Sequence, residues 1–235
     1  MIKARVLTAL LLLCATTAFG EDVRAHIKNT FPKLTVDAVQ ESGVAGLYEI
    51  TSGANILYYA LATDNFILGD ILSKEGVNLT AARRQTVAAK KYDNLDLSKA
   101  VKIGNGPTKV VLFTDPDCPF CRKVDGFLSK LPNITLYVFF SPIASLHPST
   151  ETKVACILGS NDPGDTYRKT IAGEFDKKPL KVEPAGIAKM QGQKALAASL
   201  GIKGTPVLYI NGTLINGADF AAIDHAITTK VIASK

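Results

Sequence analysis

Two apolar runs, "KVVLF" at Lys109–Phe113 and "ITLYVFF" at Ile134–Phe140, constrain the fold of this chain more than any other feature. Neither alternates with polar residues, and continuous runs of this kind are the mark of strands covered on both faces. Between them, Phe127 and Leu131 recur four residues apart, as on one face of a helix, and that helix starts at the stretch "DPDCPFCRK". The order strand, helix, strand predicts a parallel pair with a right-handed crossover. Downstream, "VLYINGTLING" reads as two strands joined by an Asn211-Gly212 turn, and Phe220, Ile223 and Ile227 mark a closing helix capped by Asp219. A helical stretch from Val154 to Leu200, broken around Lys178 to Pro184, lies in between. The pattern is βαβ, a helical insertion, then ββα.

The upstream half is built differently. Val23, Ile27 and Phe31 lie on one face of a short helix ended by Pro32, and three strand-like runs follow from Gly46, Asn55 and Phe66. A helix and a meander of this size have a marginal core and open sheet edges, so pairing with a second copy is expected. The Ala-, Arg- and Lys-rich run from Thr80, with Thr80 as the expected N-cap, reads as a connecting helix, and "GNGP" at Gly104–Pro107 marks a boundary. The expected domains are therefore 21–79, a linker helix over 80–103, and 104–235. Ahead of them, Lys3 and Arg5 precede the apolar run Val6–Ala15, with small residues at Ala18 and Gly20, which predicts a signal peptide over 1–20, cleavage before Glu21, and export.

Charge excludes one class of function. The formal charge of +6 falls to about +4 once Lys3 and Arg5 leave with the signal, and the basic residues are interspersed with acidic ones, so nucleic acid is not an expected partner. Three cysteines then remain, Cys118, Cys121 and Cys156, an odd number for an exported protein that relied on disulfides for stability.

The Cys118-Pro119-Phe120-Cys121 pair admits three chemistries. A cysteine at the first turn of a helix faces unpaired N–H groups and the positive end of the helix dipole, which favour the thiolate. Pro119 suits the first helical position, Arg122 and Lys123 add positive charge, and Cys121 one turn on is placed to attack a mixed disulfide on Cys118. Asp115 and Asp117 oppose the thiolate if their carboxylates point toward it. A metal site would need Cys156 and histidines such as His147 and lacks paired ligand spacing. A structural Cys118–Cys121 disulfide would close too short a loop to constrain the unfolded chain. His147 and His225 read as surface residues.

"FTDPDCPFC", "GIKGTPVLYINGTLING" and the upstream meander with its helical linker resemble, in combination, the exported thiol:disulfide interchange proteins of the DsbC/DsbG type, over essentially the whole chain that follows the signal. The resemblance implies an α+β protein: a cystatin-like helix-plus-meander dimerisation domain, a linker helix, and a C-terminal thioredoxin-fold domain with a helical insertion, assembled as a V-shaped periplasmic homodimer. It implies a cis Thr205-Pro206 bond beside the active-site pair, with Pro119, Phe120, Thr205 and Pro206 forming the surface that meets substrate and redox partner. It also implies misoxidised or unfolded exported proteins as substrates, a membrane thiol reductase of the DsbD type as electron donor, and no metal or small cofactor. Thioredoxin carries a buried acid six positions before its first active-site cysteine, where this chain has Leu112. Cys156 resembles half of a second disulfide of the DsbC type, but no later cysteine exists to complete it. Pro119-Phe120 is closer to the Pro-Tyr of DsbG than to the Gly-Tyr of DsbC. The expected function is a disulfide isomerase. The alternatives are a reductase protecting single cysteines from sulfenic acid, a dithiol oxidase, or a dimeric holdase.

Overall fold

A computed structural model of the chain describes residues 12–53 and 55–229. The proposed signal-peptide start before residue 12 lies outside them. The chain divides into two compact units, Met1–Val87 and Ala88–Lys235.

In the first unit, helix α1 (Leu12–Thr30) precedes an antiparallel sheet of β1 (Ala38–Glu41), β2 (Leu47–Ser52), β3 (Asn55–Ala60) and β4 (Asn65–Ile67), in that spatial order. Val23 and Ile27, one turn apart on α1, pack with Val36, Ile50 and Tyr59 in the core, and Phe31 and Phe66 meet edge to face at 4.9 Å. The sheet has four strands rather than the expected three. Strand β1, "AVQE", has no continuous apolar signal and only one face of one edge strand to cover. Helix α2 runs over Leu79–Asp93. Its cap is Asn78, whose side-chain oxygen accepts from the Ala81 amide at 2.8 Å. Thr80, the expected cap, accepts instead from the Ile71 amide at 2.8 Å and shares a hydrogen bond with the Tyr58 hydroxyl.

The second unit is a five-stranded sheet in the order β5-β7-β6-β8-β9, formed by β5 (Val101–Ile103), β6 (Thr108–Thr114), β7 (Ile134–Phe140), β8 (Val207–Ile210) and β9 (Thr213–Asn216). Only β6 and β7 pair in parallel, joined through α3 (Pro119–Leu128). Strand β5 lies within the stretch read from sequence as linker helix: three residues are too few to show a strand pattern, and pairing with β7 decides their conformation. Val110, Leu112, Val138 and Phe140 face one core with Val124, Ile157 and Ile223, while Val111, Phe113 and Phe139 face the other with Tyr92 and Ala197. That two-sided burial is what continuous apolar runs require. The insertion comprises α4 (Thr150–Gly159), α5 (Pro163–Ile171) and α6 (Pro184–Ser199). A β-carbon on Gly186 would stand 2.0 Å from the Ala155 carbonyl, so glycine is what lets α6 approach α4. Helix α7 (Phe220–Thr228) is capped by Asp219, whose side chain accepts from the Ala222 amide at 3.0 Å. Asn211 and Gly212 both have positive φ, as the hairpin turn between β8 and β9 needs.

Candidate active site

At the C-terminal end of β6 the chain leaves a fully buried strand and must turn into α3, and the residues of the turn are suited to starting a helix. Cys118 is the N-cap with extended backbone (φ −72°, ψ 122°), followed by Pro119 at the first helical position, where no N–H is left unpaired. The Cys118 amide donates to the Asp115 carbonyl at 3.0 Å and the Cys118 carbonyl accepts from the Arg122 amide at 3.1 Å, fixing the residue from both sides. Its Sγ lies 3.7 Å from the carbonyl of Thr205, the residue before the cis bond to Pro206. Pro119 and Phe120 are exposed beside it, Phe120 by 57%, while Thr205 is half-buried and Pro206 buried. Of the six residues singled out by sequence, four therefore lie at the start of α3 and two on the loop before β8, and Cys118 is brought against that loop at Thr205.

The two cysteines are unequal, and neither is bonded to a second sulfur. Cys121 is fully buried, and its Sγ accepts from the Asp115 amide at 3.4 Å. Burial pushes its thiol up to about 12, with the nearby Cys118 adding to the rise, against the opposing pull of the Asp115 amide and the Thr114 and Thr205 hydroxyls.

Neither aspartate of the motif is free to face the sulfurs. The Asp115 carboxylate, wholly buried, accepts from the Asp117 amide at 2.9 Å and the Thr150 hydroxyl at 2.6 Å on one oxygen. Its other oxygen takes the Ile143 amide at 2.8 Å and contacts His147 Nδ1 at 3.0 Å. It anchors the loop between β7 and α4. His147, read from sequence as a surface residue, is half-buried because of this contact. Asp117 accepts from Arg122 at 3.2 Å and from Lys153. Asp176 takes two hydrogen bonds from Arg122, at 2.8 and 2.7 Å, and one from Lys153 at 2.6 Å, which together hold its carboxyl well below the usual range. Arg122 also donates to the Pro116 carbonyl at 2.8 Å. Its charge is thus shared with two carboxylates rather than offered freely to Cys118, and Lys123 lies over the Phe120 ring, 5.7 Å from its centre.

Sequence reasoning missed the roles of Asp115, Thr150, Lys153 and Asp176; a buried lysine in the insertion has no local signal that names its partners. Among the described residues no group of three His, Cys, Asp or Glu gathers to hold a metal ion. Cys156 is half-buried on α4, and burial pushes its thiol up.

Residues 14–81 match the disulfide bond isomerase protein N-terminal domain family, and residues 95–224 match the thioredoxin-like domain family. The "Probable thiol:disulfide interchange protein DsbC" of Bordetella parapertussis is 29% identical over 209 residues, 85% of this chain and 70% of that protein. The thiol:disulfide interchange protein DsbG of Pseudomonas aeruginosa is 30% identical over 119 residues, 46% of this chain and 44% of that protein. Among solved structures, a disulfide interchange protein from Neisseria gonorrhoeae superposes with a TM-score of 0.50 at 28% identity, covering 57% of this chain and all of that one.

Proposed function

The chain belongs to the DsbC/DsbG family of thiol:disulfide interchange proteins, and on that footing we propose that it is an exported disulfide isomerase in which Cys118 attacks and Cys121 resolves. The observation that carries the proposal is the asymmetry of the pair: Cys118 at a helix N-cap, beside exposed Pro119 and Phe120 and 3.7 Å from the Thr205 carbonyl, with Cys121 fully buried behind it.

In the first step the Cys118 thiolate attacks one sulfur of a substrate disulfide. A Cys118–substrate bond forms, the substrate S–S bond breaks, and the second substrate sulfur leaves as thiolate. A different thiolate of the same substrate then attacks the mixed disulfide, so a new pairing forms, Cys118 is released, and no net oxidation occurs. When no substrate thiol arrives, Cys121 attacks Cys118 instead, and the Cys118–Cys121 disulfide that results needs reduction by an external dithiol, for which we propose a membrane thiol reductase of the DsbD type. Pro206, without an N–H, and the Thr205 backbone suit contact with an extended substrate strand. The proposed partners are misoxidised exported proteins in the periplasm, and no helix among the described residues is long and apolar enough to cross a membrane.

The proposed assembly is a homodimer through the first unit. There β4 is a three-residue edge strand, and its last residue, Ile67, and Leu68 and Leu72 after it are exposed by 46%, 79% and 60%. An apolar edge of that kind is a template for pairing with another chain.

The test is recovery of activity by a scrambled multi-disulfide enzyme incubated with the reduced protein. Recovery lost in Cys118→Ala supports the proposal, and recovery unchanged in that variant overturns it.

A further inference from the structure

The charge beside the attacking cysteine is balanced by a residue that the cysteine motif does not contain. Arg122 and Lys153 are two cations held against the residues that lead into Cys118. The Arg122 guanidinium donates to the Pro116 carbonyl at 2.8 Å and to Asp117 Oδ1 at 3.2 Å, and the buried Lys153 ammonium, from α4, donates to the same Asp117 oxygen. Asp117 alone can offset only one of them. The second carboxylate is that of Asp176, which arrives from the turn after α5, 54 residues from Arg122 in sequence. It takes both ends of the guanidinium fork, at 2.8 and 2.7 Å, and the Lys153 ammonium at 2.6 Å.

The turn is shaped for that contact. Gly173 has a φ of +85°, its carbonyl accepts from the Asp176 amide at 3.1 Å, and a β-carbon there would stand 3.0 Å from Asp176 Oδ2 and 3.3 Å from Arg122 Nη1. Two cations and two carboxylates then sum to zero against the residue that precedes Cys118. Consecutive Cα atoms are about 3.8 Å apart, so the Asp117 end of the cluster lies within roughly one screening length, about 8–10 Å, of the Cys118 sulfur. At that range the net charge of the cluster, and not only its hydrogen bonds, bears on a thiolate.

We propose that Asp176 is a positioning residue for disulfide exchange: by balancing Arg122 and Lys153 it keeps the charge beside Cys118 near zero and so sets how readily the Cys118 sulfur ionises and leaves. The inference deepens the isomerase reading and rests on it. The acidity of Cys118 enters that reaction twice. Attack needs the Cys118 thiolate, which bonds to one substrate sulfur while the substrate S–S bond breaks and the other sulfur leaves as thiolate. When a substrate thiolate then attacks the substrate sulfur of the mixed disulfide, a new substrate S–S bond forms and Cys118 leaves with the bonding pair, with no net oxidation. Surplus positive charge would make Cys118 a more abundant but weaker nucleophile and a better leaving group, shortening the life of the mixed disulfide. Balance leaves the substrate time to try other pairings. The other titratable groups on the elements that meet Cys118 are Asp115 with its His147 partner, Cys121 and Lys123 on α3, and Lys203 ahead of Thr205. None of these is changed in the variants below.

The test uses the reduced full chain with Cys14 and Cys156 replaced by alanine, and follows ultraviolet thiolate absorbance from acid to mildly alkaline pH, where Cys121, held at about 12, does not titrate. Asp176→Asn leaves two cations with one carboxylate and should move the Cys118 midpoint down by roughly 0.3 to 1.2 pH units, the effect of a unit charge about 10 Å away at an effective dielectric constant of about 80 to 20. Asp176→Ala, at the exposed end of the cluster, should match it. Lys153→Met leaves two carboxylates with one cation and should move the midpoint up by a similar amount, and the Asp176→Asn, Lys153→Met double variant, neutral again, should return close to the parent. Both shifts should shrink in molar salt, where the screening length falls to about 3 Å. Mere loosening of the loop would move both single variants in one direction. An unmoved midpoint in Asp176→Asn and Asp176→Ala, or shifts of one sign in both single variants, overturns the charge balance. Recovery of a scrambled enzyme that is unchanged in Cys118→Ala overturns the isomerase reading instead.

Discussion

Replacing Asp115 by asparagine should destabilise the second unit by about 2–4 kcal/mol, although it changes one atom of a side chain that touches no sulfur with its carboxylate. The carboxylate is wholly buried and takes four contacts, two on each oxygen: the Asp117 amide and Thr150 hydroxyl, and the Ile143 amide and His147. Asparagine has one accepting oxygen. Whichever way its amide turns, the NH₂ faces a backbone N–H that cannot reverse, that of Asp117 or that of Ile143, while Thr150 or His147 can rotate or change tautomer to accept. The cost is one charge-assisted hydrogen bond, about 1.5–3 kcal/mol, and part of the penalty for one opposed buried donor, about 1–3 kcal/mol. Alanine removes all four acceptor contacts, including that of the fully buried Thr150, and should cost more. Urea unfolding followed by far-ultraviolet circular dichroism gives the stability change, and hydrogen exchange at the Ile143 amide reports the loop directly. An asparagine variant within about 0.5 kcal/mol of the parent, the usual effect of a surface change, with Ile143 protection intact, would refute the reasoning.

Three further outcomes are expected. Removing Arg83 by an Arg83→Ala change leaves the buried Glu49 carboxylate without its 2.7 Å partner, and should cost the first unit about 3–5 kcal/mol in denaturant unfolding. Gly186→Ala sets a methyl 2.0 Å from the Ala155 carbonyl and must push α4 and α6 apart, lowering stability by about 1–3 kcal/mol or more in the same measurement. Because Arg122 and Lys153 lower the Asp176 carboxyl, its contribution is present above the unfolded carboxylate value of about 3.9 and is lost as pH falls through the folded value. Thermal melts of Asp176→Asn should therefore differ from the parent by a constant margin above about pH 5 and converge in stronger acid.

What could be read in the chain, and what could not, follows sequence distance. The βαβ core was legible because β6 and β7 are buried on both faces and have no polar alternation to hide them, and the hairpin was legible because Asn211 and Gly212 supply the positive φ that its turn needs. Local rules failed where the competing group was remote. Thr80 makes a good cap in isolation, but Tyr58 and the Ile71 amide claim its hydroxyl and Asn78 caps α2 instead. The same holds at the site. Cys118, Pro119 and Cys121 announce themselves within one turn, whereas Asp115 looked like a charge opposing the thiolate. Three of its four partners lie 28 to 35 residues away, in a segment whose approach no spacing rule predicts. Tyr167 and Asp125, 42 residues apart, are a pair only once α5 has packed onto α3.

The burial of Cys121 also ranks the two ways in which a mixed disulfide can end. A substrate thiol with an ordinary pKa of about 8.5 is a few per cent thiolate at neutral pH, whereas a thiol held at about 12 has a charged fraction smaller by a factor of roughly 3,000. The more basic thiolate is the better nucleophile, which recovers roughly a factor of 30 at a Brønsted slope of about 0.4–0.5. A deficit of roughly a hundredfold remains against Cys121. Its position one turn from Cys118 opposes that deficit only when no substrate thiolate can reach the mixed bond. Reshuffling within the substrate is then the first outcome and internal escape the second, which is the order an isomerase needs, since early escape would oxidise the pair and end the cycle. Deep burial of the resolving cysteine, costly for a group that must ionise, is on this reasoning what separates isomerisation from simple reduction at this site.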